Sequence, residues 1–224
     1  MRRALRNHGL GIFFGVIFLA ALAGQAFAGW HQFNNNQVVD GLSAISLADY
    51  LTSASFAADV AENWQSEYLQ FLLYIVATVW LVQVGSPESK KPDEAGQESE
   101  RDQSLGEYVG PDAPRWAVVR GLRRLVYSWS LALVMGLIFV LSWFAQSFAG
   151  WASNNETRLE NLQDPIAWTR YLLDADFWSR TLQNWQSEFL AVGSMAVLSI
   201  YLRQRGSSQS KPVGTPHAST GIEG

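Results

Sequence analysis

The sequence predicts an all-α integral membrane protein with four transmembrane helices, built as a tandem duplication of a two-helix hairpin. Three observations lead there. Apolar residues are gathered into long uncharged runs, with the charges confined to the segments between them. The chain of 224 residues carries 10 tryptophans and only 16% charged residues, a composition suited to membrane interfaces rather than to water. The pentapeptide Asn63-Trp64-Gln65-Ser66-Glu67 returns letter for letter as Asn184-Trp185-Gln186-Ser187-Glu188.

That echo belongs to a repeat running through the chain. With an offset of 121 the sequence overlays on itself without a gap, and about a third of the positions are identical. Gln25, Phe27, Ala28, Gly29 and Trp30 fall on Gln146, Phe148, Ala149, Gly150 and Trp151. Tyr50-Leu51 falls on Tyr171-Leu172, and Gly85-Ser86 with Ser89-Lys90 on Gly206-Ser207 with Ser210-Lys211.

The first expected span covers residues 9–29 and follows a basic start, Arg2, Arg3 and Arg6. Its basic-apolar pattern ending in Ala26-Phe27-Ala28 also fits a cleaved signal peptide. The internal copy of the same segment decides against cleavage, because a signal peptide does not recur in mid-chain. A polar segment after Trp30 is expected to end this span. Ser46 and Asp49 form a candidate capping box, and Asp164-Pro165 in the second copy a candidate N-cap with Pro at N1. Ser53 and Asp174 are candidate N-caps for the next helices, which run from about Ala54 and Ala175 into the second and fourth spans at residues 67–84 and 186–203. These two helices exceed the hydrocarbon thickness, so they are extended into water or kinked at the pentapeptide.

The first hairpin thus occupies residues 1–91 and the second 115–211, with its first span at 126–149. Residues 92–114 are rich in Pro, Gly, Ser and charge and are expected as a flexible cytoplasmic linker, and 212–224 as a mobile tail. Thirteen Lys and Arg fall in the N-terminus, linker and tail, against three in the two intervening loops. The positive-inside rule therefore places both termini in the cytoplasm and makes the two hairpins parallel repeats.

Several features are candidates for function. Glu67 and Glu188 would face one another at the outer side, as a carboxylate pair attracting cations or as interfacial groups reaching water. Asn63, Trp64, Gln65, Ser66 and their partners Asn184, Trp185, Gln186 and Ser187 complete a polar seam, in which Gln65 and Ser66 join helices and the tryptophans anchor at the headgroups. Gln25 and Gln146 are uncharged polar groups inside apolar helices, expected to face a neighbour. Gly11 and Gly15, matched by Ala132 and Gly136, permit close helix contact. Gly-Ser-x-x-Ser-Lys after the second and fourth spans reads as a helix stop with basic anchoring.

No catalytic motif is present, so no enzyme activity, cofactor or metal is expected. The absence of cysteine excludes disulfides and thiolate chemistry, and no basic stripe points to nucleic acid. The expected partners are the lipid bilayer and either further copies of the chain, as a homo-oligomer, or other membrane proteins.

The segments Gly24-Gln25-Ala26-Phe27-Ala28-Gly29, Tyr50-Leu51-Thr52-Ser53, Asn63–Gln70 and Gly85-Ser86-Pro87-Glu88-Ser89-Lys90 resemble an uncharacterised family of bacterial multi-pass membrane proteins, a domain of unknown function common in actinobacteria and proteobacteria. The resemblance implies location in the bacterial inner membrane and nothing chemical. The leading expectation is a non-enzymatic structural or interaction protein. The alternative is a small ion or proton channel or transporter using the paired outer glutamates.

Overall fold

The computed structural model describes the backbone of residues 2–223 and the side chains of residues 7–223. Arg2, Arg3 and Arg6, on which the predicted orientation partly rests, lie outside the residues whose side chains are described. Among the described residues the chain is all-helical and has no strand. Its eight α-helices are α1 (Arg2–Val39), α2 (Leu47–Leu51), α3 (Ala54–Trp80), α4 (Arg115–Val118), α5 (Leu122–Ser128), α6 (Ser130–Glu160), α7 (Trp168–Tyr171) and α8 (Ala175–Tyr201).

Two of them are long and apolar enough to cross a membrane: α1 from Asn7, and α6. The predicted second and fourth spans lie on α3 and α8, which do not reach that apolarity. Both are continuous helices of 27 residues, about 40 Å long, rather than kinked ones. Their first turns carry most of their polar residues. Each also stops short of the apolar run's end, at Trp80 and Tyr201, where the chain turns through Gly85 (φ 88°) and Gly206 (φ 81°). The left-handed backbone suits glycine at both places.

Other boundaries move as well. Helix α1 does not end at Trp30 but runs through the Asn34-Asn35-Asn36 segment to Val39, and it bends at His8. The predicted third span is interrupted at Trp129 (φ −110°, ψ 7°), resumes at Ser130 as α6 and runs on beyond Ala149 to Glu160.

By contacts the chain divides into two compact units. One comprises Met1–Val60 with Ala145–Tyr171, the other Ala61–Phe144 with Leu172–Gly224. Each unit draws on both halves of the sequence.

In the first unit the polar end of each long helix clasps the loop that follows it. Asn34 Nδ2 donates to Ile45 O (3.0 Å), Asn34 Oδ1 accepts from Ile45 N–H (2.8 Å), and Trp30 Nε1 donates to the same carbonyl (2.8 Å). The three bonds recur at Asn155, Ile166 and Trp151, at 3.0, 2.8 and 2.7 Å. A two-pointed side-chain bond of this kind satisfies a loop backbone that would otherwise depend on water. It also explains why Asp164-Pro165 does not start a helix: Ile166 is held by the clasp, and α7 begins only at Trp168. The capping box of Ser46 and Asp49 forms as predicted, and Ser53 and Asp174 accept from backbone N–H groups of Phe56 and Asp176. Asn155→Ala should destabilise the protein by about 2 kcal/mol, two side-chain hydrogen bonds being lost. Thermal unfolding of the purified variant in detergent measures this, and a shift no larger than that of an exposed control such as Gln163→Ala would remove the clasp's assigned role.

Glycines at the same helical level admit a tyrosine. A Cβ on Gly150 would stand 2.6 Å from the Tyr171 hydroxyl, and one on Gly29 would collide with the Tyr50 hydroxyl. Both tyrosines are buried, at 3% and 1% exposed for Tyr50 and Tyr171. Burial raises the phenol pKa of Tyr50 above its ordinary value, and the Asp59 charge adds to it. Gly29 and Gly150 therefore lie within their helices and do not terminate them.

In the second unit, Gly136 of α6 packs on Leu72 of α3 at 3.6 Å. No side chain stands within 4 Å of where a Cβ on Gly11 or Gly15 would lie. The Gly-Ser-x-x-Ser-Lys segments close the ends of α3 and α8. Ser89 Oγ accepts from Gln83 N–H (2.8 Å) and Ser210 Oγ from Gln204 N–H (2.9 Å). Lys211 is not a membrane anchor. It is fully buried, and its ammonium donates to the carbonyls of Gly85 (2.6 Å), His217 (2.8 Å) and Ser219 (3.2 Å). Burial and, less strongly, the Arg203 charge lower its pKa. The tail is tied back further by Thr220, whose hydroxyl accepts from Gly85 N–H at 2.8 Å. Residues 92–114 carry two 3-10 turns, Pro92–Glu94 and Gly106–Tyr108, and Gly96 N–H donates to Val79 O near the end of α3 (2.7 Å).

Candidate functional site: a polar seam between two parallel helices

The repeated pentapeptide lies on α3 and α8, and the second unit brings its two copies together. Gln65 Oε1 accepts from Trp185 Nε1 at 2.8 Å. One turn earlier, Glu62 Oε1 accepts from Asn184 Nδ2 at 2.8 Å. These partners are 120 and 122 residues apart in sequence, so equal levels of the two helices stand side by side and the helices run in the same direction.

The centre of the seam is a pair of residues at which the two copies of the repeat differ. Arg180 Nε and Nη2 both donate to Glu62 Oε2, each at 2.8 Å. The Glu62 side chain is 11% exposed and that of Arg180 35%. A carboxylate so enclosed is tolerated because both of its oxygens accept hydrogen bonds and an opposite charge stands against it. The repeat counterparts of Glu62 and Arg180 are Gln183 and Asp59, so the ion pair exists only where the copies diverge. The available signal was Arg180 itself, one of three basic residues in the otherwise base-poor loops.

The predicted seam residues divide into two groups. Gln65 and Ser66 are buried, at 0% and 2% exposed, and Gln65 does join the two helices. Its Nε2 is buried without a hydrogen-bond partner among the described residues. Ser66 and Ser187 bond instead to their own helices, at the carbonyls of Asn63 and Asn184, both at 2.9 Å. Trp185 is not a simple interfacial anchor, since its indole N–H is engaged and its ring lies 5.9 Å from that of Trp143. Trp143 also stacks on Phe139 and Phe177, which places an aromatic cluster beside the seam. Asn63, Trp64, Glu67, Gln186 and Ser187 are exposed. Gln25 and Gln146 belong to the first unit, where Gln146 is 2% exposed and Gln25 half-buried.

The geometry gives the conduit alternative no support. Glu67 is exposed and Glu188 half-buried, and neither forms a hydrogen bond or ion pair with another described residue. Three hydroxyls along the helices are turned back on their own backbones: Thr78 donates to Tyr74 O (2.8 Å), Ser130 to Tyr127 O (2.8 Å) and Ser199 to Ala196 O (3.4 Å). No group of three His, Cys, Asp or Glu residues suited to a metal occurs among the described residues.

The chain matches no curated protein and no solved structure. A family model does match, and it covers residues 1–222, taking in both pentapeptides, both clasps and the segment between them. With so complete a match, the chain belongs to the family described as a domain of unknown function, DUF6766.

Proposed function

We propose that the protein is a non-enzymatic structural or interaction protein of the bacterial inner membrane, with four spans in two parallel hairpins derived by tandem duplication. The observation that carries the membrane reading is the exposure of α1. Only 6% of its most apolar window is buried, and 17% of that of α6. The core helix of a water-soluble protein hides its apolar stripe, whereas α1 leaves Leu10, Phe13, Phe14, Val16 and Leu19 more than half exposed. Lipid or a partner helix is the environment that such a surface requires.

The duplication is supported by bonds as well as letters. Both clasps, both serine closures and both glycine–tyrosine contacts recur 121 residues apart. Two hairpins related by an axis along the membrane normal would set α3 and α8 parallel, in keeping with the seam. The seam then acts as a lock that fixes the two hairpins in one register, and the outer loops and α1 are left to engage further copies or other membrane proteins.

Single cysteines test the topology, since the chain has none of its own. Those placed between 31 and 50 should react with an impermeant maleimide added to intact cells, and those between 92 and 112 only after permeabilisation. Labelling of both sets from outside, or recovery of the chain in the soluble fraction, would refute the arrangement.

A further inference from the structure

The second unit contains an open cleft of about 1060 Å³ between the far end of α3, the break between α5 and α6, and the segment following Lys90. This is at the upper end of the size of small-molecule sites. Its floor is apolar, with Ile75, Val76 and Val79 on one side and Leu131 on the other. Its rim is charged in a particular way. Lys90 Nζ stands 2.9 Å from Glu98 Oε1, and Arg124 Nη2 stands 2.7 Å from Glu100 Oε1. Each pair is only partly covered, with Arg124 23% and Lys90 26% exposed.

The rim therefore presents two cations and two carboxylates, with no net charge. A simple anion entering it would meet both glutamates, and a simple cation would meet the lysine and the arginine. The complementary ligand carries both signs close together and an apolar body to cover the floor. A carboxylate also favours a primary ammonium, which donates hydrogen bonds, over a quaternary one, which donates none.

We propose that this cleft binds a zwitterionic phospholipid of the phosphoethanolamine class, its phosphate on Arg124 and Lys90, its ammonium on Glu98 and Glu100, and its upper acyl chains on the wall formed by Ile75, Val79 and Leu131. The inference rests on the membrane reading above, which puts these helix ends and the intervening segment at the cytoplasmic leaflet. Headgroup binding opens the two salt bridges and sets one phosphate between Lys90 and Arg124 and one ammonium between Glu98 and Glu100, so each ligand charge is shared by two side chains and the rim with its ligand stays neutral as a whole.

The test uses the full chain, extracted in mild detergent, delipidated and offered phosphoethanolamine, phosphocholine and phosphoglycerol lipids at equal concentration, with retained lipid read by native mass spectrometry. Phosphoethanolamine lipid should be retained on the order of fivefold over each of the others. Glu98→Gln with Glu100→Gln leaves the rim cationic and should move the preference to phosphoglycerol. Val79→Trp, which fills the floor and leaves the rim intact, should reduce retention of all three. Equal retention of the three lipids by the wild type, or an unchanged preference in the Glu98→Gln/Glu100→Gln variant, overturns the proposal while the membrane reading stands. A chain recovered from the soluble fraction without lipid would overturn both.

Discussion

Glu62→Ala is expected to lower the stability of the purified protein by about 3 kcal/mol, the range for breaking a buried ion pair by removing one partner. The carboxylate satisfies two donors of Arg180 and one of Asn184. Its removal takes away the carboxylate on which two donors of the Arg180 guanidinium are set, and leaves the Asn184 amide with the Arg180 carbonyl as its remaining acceptor. Arg180 is 35% exposed, so water recovers part of the loss, and the lower half of the range applies. Glu62→Gln keeps the shape and an acceptor for Asn184 but removes the charge, and should fall between alanine and wild type. Glu67→Ala, one turn on at an exposed position, should stay within about 0.5 kcal/mol of wild type. Denaturant-induced unfolding in micelles, followed by tryptophan fluorescence, gives all three values. Equal losses at Glu62 and Glu67 would show that the seam owes nothing to the ion pair.

That contrast marks how far the sequence could be read. Identity between the two halves pointed to the seam to within one helical turn and singled out Gln65 by its identity with Gln186, although the structure sets Gln65 against Trp185 and leaves Gln186 exposed. It favoured Glu67 and Glu188 for the same reason, although an exposed glutamate can persist in both copies without doing anything for the fold. Glu62 and Arg180 were invisible to it. The copies differ at the positions that form the pair, with Gln183 and Asp59 standing where Glu62 and Arg180 would recur. The helical class, the capping box at Ser46 and the N-caps at Ser53 and Asp174 were legible from local chemistry. The extension of α1 to Val39 was not, because the asparagines that look like a loop signal are recruited at long range, Asn34 by Ile45. The same long-range clasp at Ile166 overrode the Asp164-Pro165 start signal. Helix α3 ended early for a related reason: Val84 is apolar enough to continue a span, but Gly85 turns the chain, and Thr220 and Lys211 take up the Gly85 N–H and carbonyl.

Gly150→Ala sets two effects of known size against each other. Replacing glycine by alanine inside a helix gains up to about 1 kcal/mol in propensity. The added methyl group would lie 2.6 Å from the Tyr171 hydroxyl oxygen, well inside contact distance, and the ring is 1% exposed with nowhere to retreat. Overpacking of this kind costs about 1–3 kcal/mol, so the clash should win and the variant should be less stable by about 1–2 kcal/mol. Gly29→Ala should behave the same way against Tyr50, whereas Gly24→Ala, with open space around its Cβ, should be neutral or slightly stabilising. The decisive comparison is Gly150→Ala in a Tyr171→Phe background. Removing the hydroxyl leaves the ring carbon at 3.3 Å as the nearest neighbour, a tight but tolerable contact. The alanine should then cost at least about 1 kcal/mol less than it does in the wild type, a coupling measurable by a double-mutant cycle of thermal or denaturant unfolding. Additive losses would mean that the glycine is needed for something other than admitting the tyrosine. Coupling at Gly29 and Tyr50 as well would mean that the same glycine–tyrosine lock operates in both halves.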